Sequence, residues 1–299
     1  MLALVGPTAS GKSAIALAVA QRRGDVEIVV VDAMQVYRRM DIGTAKPTAL
    51  EQQQVRHHLI DVAEPSVDYS LSLYQRDALA AIADVVARDH VPLLVGGTGL
   101  YLRAVIDQLD IPPQYELIRA ELETDGDTLG LHRRLVALDP VAAARMEPSN
   151  RRRVVRALEV TLGSGRPFSS FGPGLAAYPV TTTPLLAIQM DRALLDARIE
   201  ARYAHQMEAG FLDEVRALLA EPAGLSRTAG QALGYKELIE HLRGQSSLSD
   251  ALETAIRRTK RFARRQERWF RRDPRIRWLD GSNPVETLDA VLKECNPCD

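Results

Sequence analysis

Gly6-Pro7-Thr8-Ala9-Ser10-Gly11-Lys12-Ser13 fits the spacing G-x-x-x-x-G-K-[ST], after an apolar run and ahead of a helical stretch. Glycines let the backbone curl so that successive N–H groups and the helix start converge on one phosphate cluster. Lys12 adds a point charge, and the Ser13 hydroxyl can ligate Mg²⁺. Such a loop binds a diphosphate without saying which bond breaks. Three further places bear on that. Asp32 ends a β-branched run, where a carboxylate could ligate magnesium, accept a proton, or cap a helix at Ala33. Thr98 stands in Gly96-Gly97-Thr98-Gly99, either beside a closely approaching ligand or in a plain strand-to-helix turn. Arg198 and Arg202, four apart, could clamp phosphate oxygens or pair with Asp196 and Glu200. His57 and His58 have no other His or Cys at metal spacing and read as structural.

Positioning these residues requires strands that end where the chemistry begins. Short apolar runs at 2–5, 27–31, 91–95 and 184–190 alternate with helical periodicity at 14–21 and 69–88, and a last strand is predicted at 276–279. That alternation indicates an α/β fold, a P-loop NTPase-like parallel sheet flanked by helices, with ligands at the carboxyl ends of the strands. From about 107 the texture becomes helical (115–123, 129–138, 141–146, 152–162) and closes in a Gly/Pro/Ser-rich stretch at 163–179. The expected organisation is a core at 1–106, an all-helical insertion domain at 107–183, and the rest of the core at 184–299.

The 299 residues, 46% hydrophobic and 26% charged, have ordinary globular composition, which excludes a disordered or fibrous chain. No apolar run is long enough to span a membrane and no secretory leader is seen, so a cytoplasmic protein is expected. The only cysteines, Cys295 and Cys298, are read as an inert, mobile end. Net charge is −1, yet between Ile256 and Trp278 eleven basic residues face two acidic ones, a local excess of +9. Ile256, Phe262, Ala263, Trp269 and Phe270 form one apolar helical stripe there, leaving the arginines on the other faces. Such an excess repels itself unless phosphates or the acidic remainder of the protein lie opposite.

Seven blocks taken together carry a resemblance: the loop at 6–13, Val31-Asp32-Ala33-Met34-Gln35-Val36-Tyr37, Met40-Asp41-Ile42-Gly43-Thr44-Ala45-Lys46-Pro47, His57-His58-Leu59-Ile60-Asp61, Gly96-Gly97-Thr98-Gly99-Leu100-Tyr101, Arg152-Arg153-Val154-Val155-Arg156-Ala157-Leu158-Glu159 and Gly234-Tyr235-Lys236-Glu237. In this order they closely resemble the tRNA dimethylallyltransferase (isopentenyl-tRNA transferase) family over nearly the whole chain. The resemblance implies transfer of a dimethylallyl group from dimethylallyl diphosphate to N6 of adenine 37 in tRNAs that read codons starting with U. It implies an insertion domain gripping the anticodon arm and a base flipped into a channel of the α/β domain; a channel for one RNA needs only one subunit, so a monomer is expected. It makes Asp32 the general base and Thr98 an orienting residue. Asp32, Ala33, Met34, Gln35, Thr98, Arg152, Arg153, Val154, Val155 and Arg156 become tRNA contacts, with Mg²⁺ as cofactor. One departure is Ala33, where many members have Ser.

The chemistry suits these residues. An exocyclic amine shares its lone pair with the ring, so a carboxylate that takes its proton helps the new bond form. The departing diphosphate needs preorganised donors, which the loop, Lys12, Arg198 and Arg202 could supply. Three alternatives use the same loop: a small-molecule or nucleoside kinase, prenyl transfer to a free adenine nucleotide, and a non-catalytic nucleotide-gated RNA-binding protein.

Overall fold

The computed structural model describes residues 1–295. It divides into two compact units, one of them Gln108–Pro179 and the other the remaining chain.

The larger unit is built on β1 (Leu2–Val5), α1 (Lys12–Arg23), β2 (Val26–Val31), α2 (Ala49–Gln54), β3 (His57–His58), α3 (Leu71–Ala87), β4 (Val91–Gly96) and α4 (Gly99–Ile106). The smaller unit holds α5 (Glu116–Thr124), α6 (Thr128–Leu138), α7 (Pro140–Ala143) and α8 (Arg151–Ser164). The larger resumes with β5 (Leu185–Gln189), α9 (Arg192–Glu208), α10 (Phe211–Ala220), α11 (Tyr235–Leu242), α12 (Leu248–Phe270), β6 (Ile276–Asp280) and α13 (Pro284–Cys295).

The six strands form one parallel sheet in the order β3-β2-β4-β1-β5-β6. Alternate residues of each strand feed opposite cores. Ala3, Val5, Val29, Val31, Leu94 and Ala187 face one side; Leu2, Leu4, Ile28, Val30, Leu93 and Leu186 face the other. Both faces are covered by helices, so the strands read as continuous apolar runs. α1 and α13 supply the second side through Ile15, Val19, Leu288 and Val291. Register places Val5 and Val31 each opposite Gly96, which brings the turns after β1, β2 and β4 together. No Cβ fits at Gly96, because it would overlap the Val31 carbonyl.

The end of the chain differs from expectation. Leu288, Val291 and Cys295 recur along α13 and are buried, and the Cys295 carbonyl accepts from Arg23 Nη1 at 3.2 Å. Cys295 is therefore a packed thiol at a helix end rather than part of a mobile tail; Cys298 lies outside the described residues. Among the described residues no helix is long and apolar enough to cross a membrane.

The smaller unit holds helices and, among the described residues, no strand, and has its own core, formed by Leu122, Leu131, Leu135, Ala143, Val154, Val155, Ala157 and Leu158. The Val154 and Val155 side chains fill that core, which leaves only their backbone to meet a ligand. Arg156 is also occupied, donating to the Pro112 and Pro113 carbonyls and to Glu159. Arg152 and Arg153 are exposed.

Candidate active site

The loop between β1 and α1 is held in a shape that few sequences tolerate. Gly11 caps α1 at φ 90°, Ala9 also sits at positive φ (66°), and a Cβ on Gly6 would crowd the Ile188 carbonyl and Ser10 Oγ. Among the described residues the amides of Gly11, Lys12 and Ser13 have no protein acceptor. The helix start therefore presents free N–H groups and partial positive charge.

A cavity of about 330 Å³ opens there, and Thr8, Ala9, Gly11, Lys12, Ser13, Asp32, Gln35, Arg198 and Arg202 all line it, with Ala14, Thr44, Ala45, Val95 and Gly96 completing the wall. Gly6, Pro7 and Ser10 are buried behind it. Burial lowers the Lys12 ammonium to about 8, with Arg202 adding to the effect and Asp32 opposing it. Lys12 Nζ donates to the Pro7 carbonyl at 3.3 Å. Arg202 donates from Nη1 to Thr8 Oγ1 at 2.7 Å, its Nε is buried without a partner, and burial lowers its guanidinium from the ordinary value. The carboxylates that might have occupied these arginines pair elsewhere: Asp196 with Arg192, and Glu200 with Lys260. Arg198 and Arg202 thus remain available to an anion.

Asp32 caps a turn rather than a helix. Its Oδ1 accepts from the amides of Met34 at 2.8 Å and Gln35 at 3.3 Å, while Oδ2 accepts nothing from the described residues. Thr98 does not line the cavity; its Oγ1 accepts from the Ala33 amide at 3.2 Å and so joins the turns after β2 and β4. Met34 packs against the core, and Gln35 donates to the Thr44 and Ala45 carbonyls at 3.1 and 3.0 Å. That loop is fixed in turn by Glu214, which accepts from the amides of Asp41, Ile42 and Gly43.

His57 and His58 have protein partners, the Val55 carbonyl at 2.7 Å and Glu27 at 2.6 Å, and no metal-ligating cluster occurs among the described residues.

Two contributors escape a hydropathy reading. Glu214 looks like surface charge on an amphipathic helix. Gln266 lies on the buried side of α12 with Ala255, Thr259, Ala263 and Phe270. It accepts at Oε1 from the Thr8 amide at 2.8 Å and donates from Nε2 to the Gly97 carbonyl at 2.9 Å. The available signal was its spacing: residue 266 falls in register with 259, 263 and 270 on the packed face.

Much of the basic excess on and after α12 is neutralised within the protein. Arg257 pairs with Glu253, Arg258 with Glu237, Arg271 with Glu267, Arg275 with Asp107 and Asp273, and Arg277 with Glu294. Arg261, Arg265, Arg268 and Arg272 are exposed and make no ion pair with described residues.

The sequence model of the IPP transferase family matches residues 35–273, and that of isopentenyl transferase matches residues 1–68. A tRNA dimethylallyltransferase from Nocardioides sp. is 46% identical, with 95% of this chain and 92% of that protein aligned. One from Kineococcus radiotolerans is 45% identical over 98% and 95% of the two chains. The crystal structure of the full-length tRNA isopentenylpyrophosphate transferase from Bacillus halodurans superposes with a TM-score of 0.72 at 37% identity, covering 98% of this chain and 94% of that one. With likeness of this extent in sequence and in fold, the chain belongs to the IPP transferase family.

Proposed function

We propose that this protein transfers the dimethylallyl group of dimethylallyl diphosphate to N6 of adenine 37 in tRNAs that read codons starting with U. One observation carries the reading: a single cavity is lined by a cationic phosphate cradle and by an aspartate with one carboxylate oxygen unpartnered among the described residues. Relatives that bear the name tRNA dimethylallyltransferase support it.

In the reaction the bond between N6 and the allylic carbon forms as the carbon–oxygen bond to diphosphate breaks, and the electron pair leaves with the diphosphate. The amides of Gly11, Lys12 and Ser13, the Lys12 ammonium, Arg198 and Arg202 meet the charge that develops on the leaving group. Asp32 Oδ2 takes the proton that the amine loses. Thr98, bound to the Ala33 amide, fixes the turn against which the acceptor base is oriented. The Ser13 hydroxyl lines the same cavity and would hold Mg²⁺, which keeps most of its shell for water and phosphate. When bound, the ion adds positive charge beside the leaving group.

Residues 32–35 contact the acceptor, and Thr98 holds their turn in place. Arg152, Arg153 and the exposed arginines of α12 meet RNA phosphates, and the helical unit grips the anticodon arm. Flipping the base costs a few kcal/mol, which those phosphate contacts offset. The enzyme works as a single cytoplasmic subunit, one cavity serving one RNA.

The test is mass analysis of nucleosides from tRNA incubated with the protein, Mg²⁺ and dimethylallyl diphosphate. Adenosine carrying one five-carbon prenyl group at N6 is expected. Prenylated free adenine nucleotide, or label moving from ATP to a small acceptor, would overturn the assignment.

A further inference from the structure

We propose that Gln266 is a positioning residue that locks the phosphate loop to the turn after β4, and so sets the spacing between the leaving-group cradle and the acceptor. The inference rests on the prenyl-transfer reading and adds a role for a side chain that touches neither substrate in that scheme.

The primary amide is used at both ends: Oε1 accepts from the Thr8 amide at 2.8 Å, and Nε2 donates to the Gly97 carbonyl at 2.9 Å. The side chain is 6% exposed, so water does not compete for either bond. Thr8 and Gly97 follow β1 and β4, neighbours in the sheet, and no backbone hydrogen bond between the two turns themselves is present among the described residues. The glycines of the second turn answer to α12. A Cβ on Gly97 would overlap Gln266 Nε2, and one on Gly99 would overlap the Trp269 ring.

The bridge continues on both sides. Thr8 is gripped a second time through Oγ1 by Arg202, which lines the cradle. Gly97 precedes Thr98, whose hydroxyl accepts from the Ala33 amide beside Asp32. Hydrogen bonds joined by the Gly97–Thr98 peptide thus run from the phosphate loop through Gln266 to the turn that carries Asp32. With the Thr8 N–H turned towards Gln266, the amides at the head of α1 are the ones left for phosphate.

An amide is required because one end must accept while the other donates. A carboxylate would set an oxygen against the Gly97 carbonyl, whereas a protonated carboxyl would restore both bonds. The Gln266→Glu variant should therefore regain function on acidification, since a buried carboxyl holds its proton to higher pH than an exposed one.

The experiment is steady-state prenylation of an anticodon stem-loop by the full chain, alongside RNA binding and thermal melting. Gln266→Ala is expected to lower kcat about 10- to 100-fold, the scale of a misaligned reacting pair, with the RNA Kd changed less than about twofold. Gln266→Glu should show the same loss at about pH 8 and recover at least about fivefold relative to unsubstituted protein by about pH 6. This second variant decides the matter if the alanine variant does not fold. Wild-type kcat in Gln266→Ala, a loss confined to RNA affinity, or a pH-independent ratio for Gln266→Glu would each overturn the proposal. Failure of the unsubstituted protein to prenylate RNA would instead refute the prenyl-transfer reading itself, and this inference with it.

Discussion

Asp32 divides its carboxylate between two tasks, and the division makes the role of each oxygen testable. Oδ1 holds the turn through the Met34 and Gln35 amides, while Oδ2 accepts nothing from the described residues and Asp32 lines the cavity. Asparagine can keep the first task because its carbonyl still accepts, but its amide cannot take a proton. Asp32→Asn should lower the single-turnover rate by about 10²-fold or more while leaving donor and RNA affinity near normal; an unchanged rate would remove Asp32 from the chemistry. Lys12 carries a second prediction. Its ammonium, lowered to about 8 by burial, is cationic below that pH and neutral above it. The cation is the form that attracts diphosphate, and a bound anion in turn holds the proton on. The Kd for inorganic diphosphate, measured by calorimetry, should therefore rise as pH climbs through 8 relative to that of Lys12→Arg, whose charge does not titrate there and which shares the ligand's own titration.

At the scale of elements, the opposite end of the sheet shows what holds a strand that propensity alone would not form. β3 is two residues long, and its His58 bonds Glu27 of β2 at 2.6 Å, with Arg88 from the end of α3 on the same carboxylate at 2.8 Å. Burial alone would raise Glu27, but Arg88 and His58 hold it at about 2. A carboxylate lowered in the folded state stabilises fully above its unfolded value, and that contribution drains away as pH falls towards 2. Glu27→Gln should cost about 3 kcal/mol in urea unfolding at neutral pH, and its deficit against the unsubstituted protein should shrink between about pH 4.5 and 2. The same cluster explains what the sequence could not reveal. Strands with both faces buried were legible as β-branched apolar runs ending at Asp32 and Gly96, because burial demands that composition. β3 was not, since its pairing depends on a carboxylate from elsewhere in the chain. α2 was missed because it buries no residue and rests on the Thr48–Glu51 capping box. Val154 and Val155 sat inside a recognisable motif, yet only packing reveals that they serve the core of the helical unit. Gln266 was hidden for the converse reason: a polar residue in an arginine-rich helix reads as surface until both of its bonds are seen.

Over the whole molecule the charge is nearly balanced, at −1, so attraction for RNA must come from how charge is distributed. Internal ion pairs quiet Arg257, Arg258, Lys260, Arg264, Arg271, Arg275 and Arg277 of the basic segment. That segment leaves Arg261, Arg265, Arg268 and Arg272 exposed without an ion pair to a described residue, and Arg152 and Arg153 of the helical unit are exposed too. If those six side chains neutralise phosphates, each releases counterions, and log affinity should fall with log salt at about 0.7 to 0.9 per contact. A slope of about −4 to −5 is then expected for tRNA binding by fluorescence titration. Replacing Arg261, Arg268 and Arg272 together by Gln should make it shallower by about 2 to 3. Arg277→Gln, which removes a charge already paired with Glu294, should barely move it. The comparison separates a field made by unpaired arginines from one made by the basic segment as a whole. Equal loss of slope in the triple and single variants would mean that the internal pairs open on RNA and that the free arginines have no special role. A slope near zero in the unsubstituted protein would show that phosphates contribute little to binding, and that the acceptor is held by its base alone.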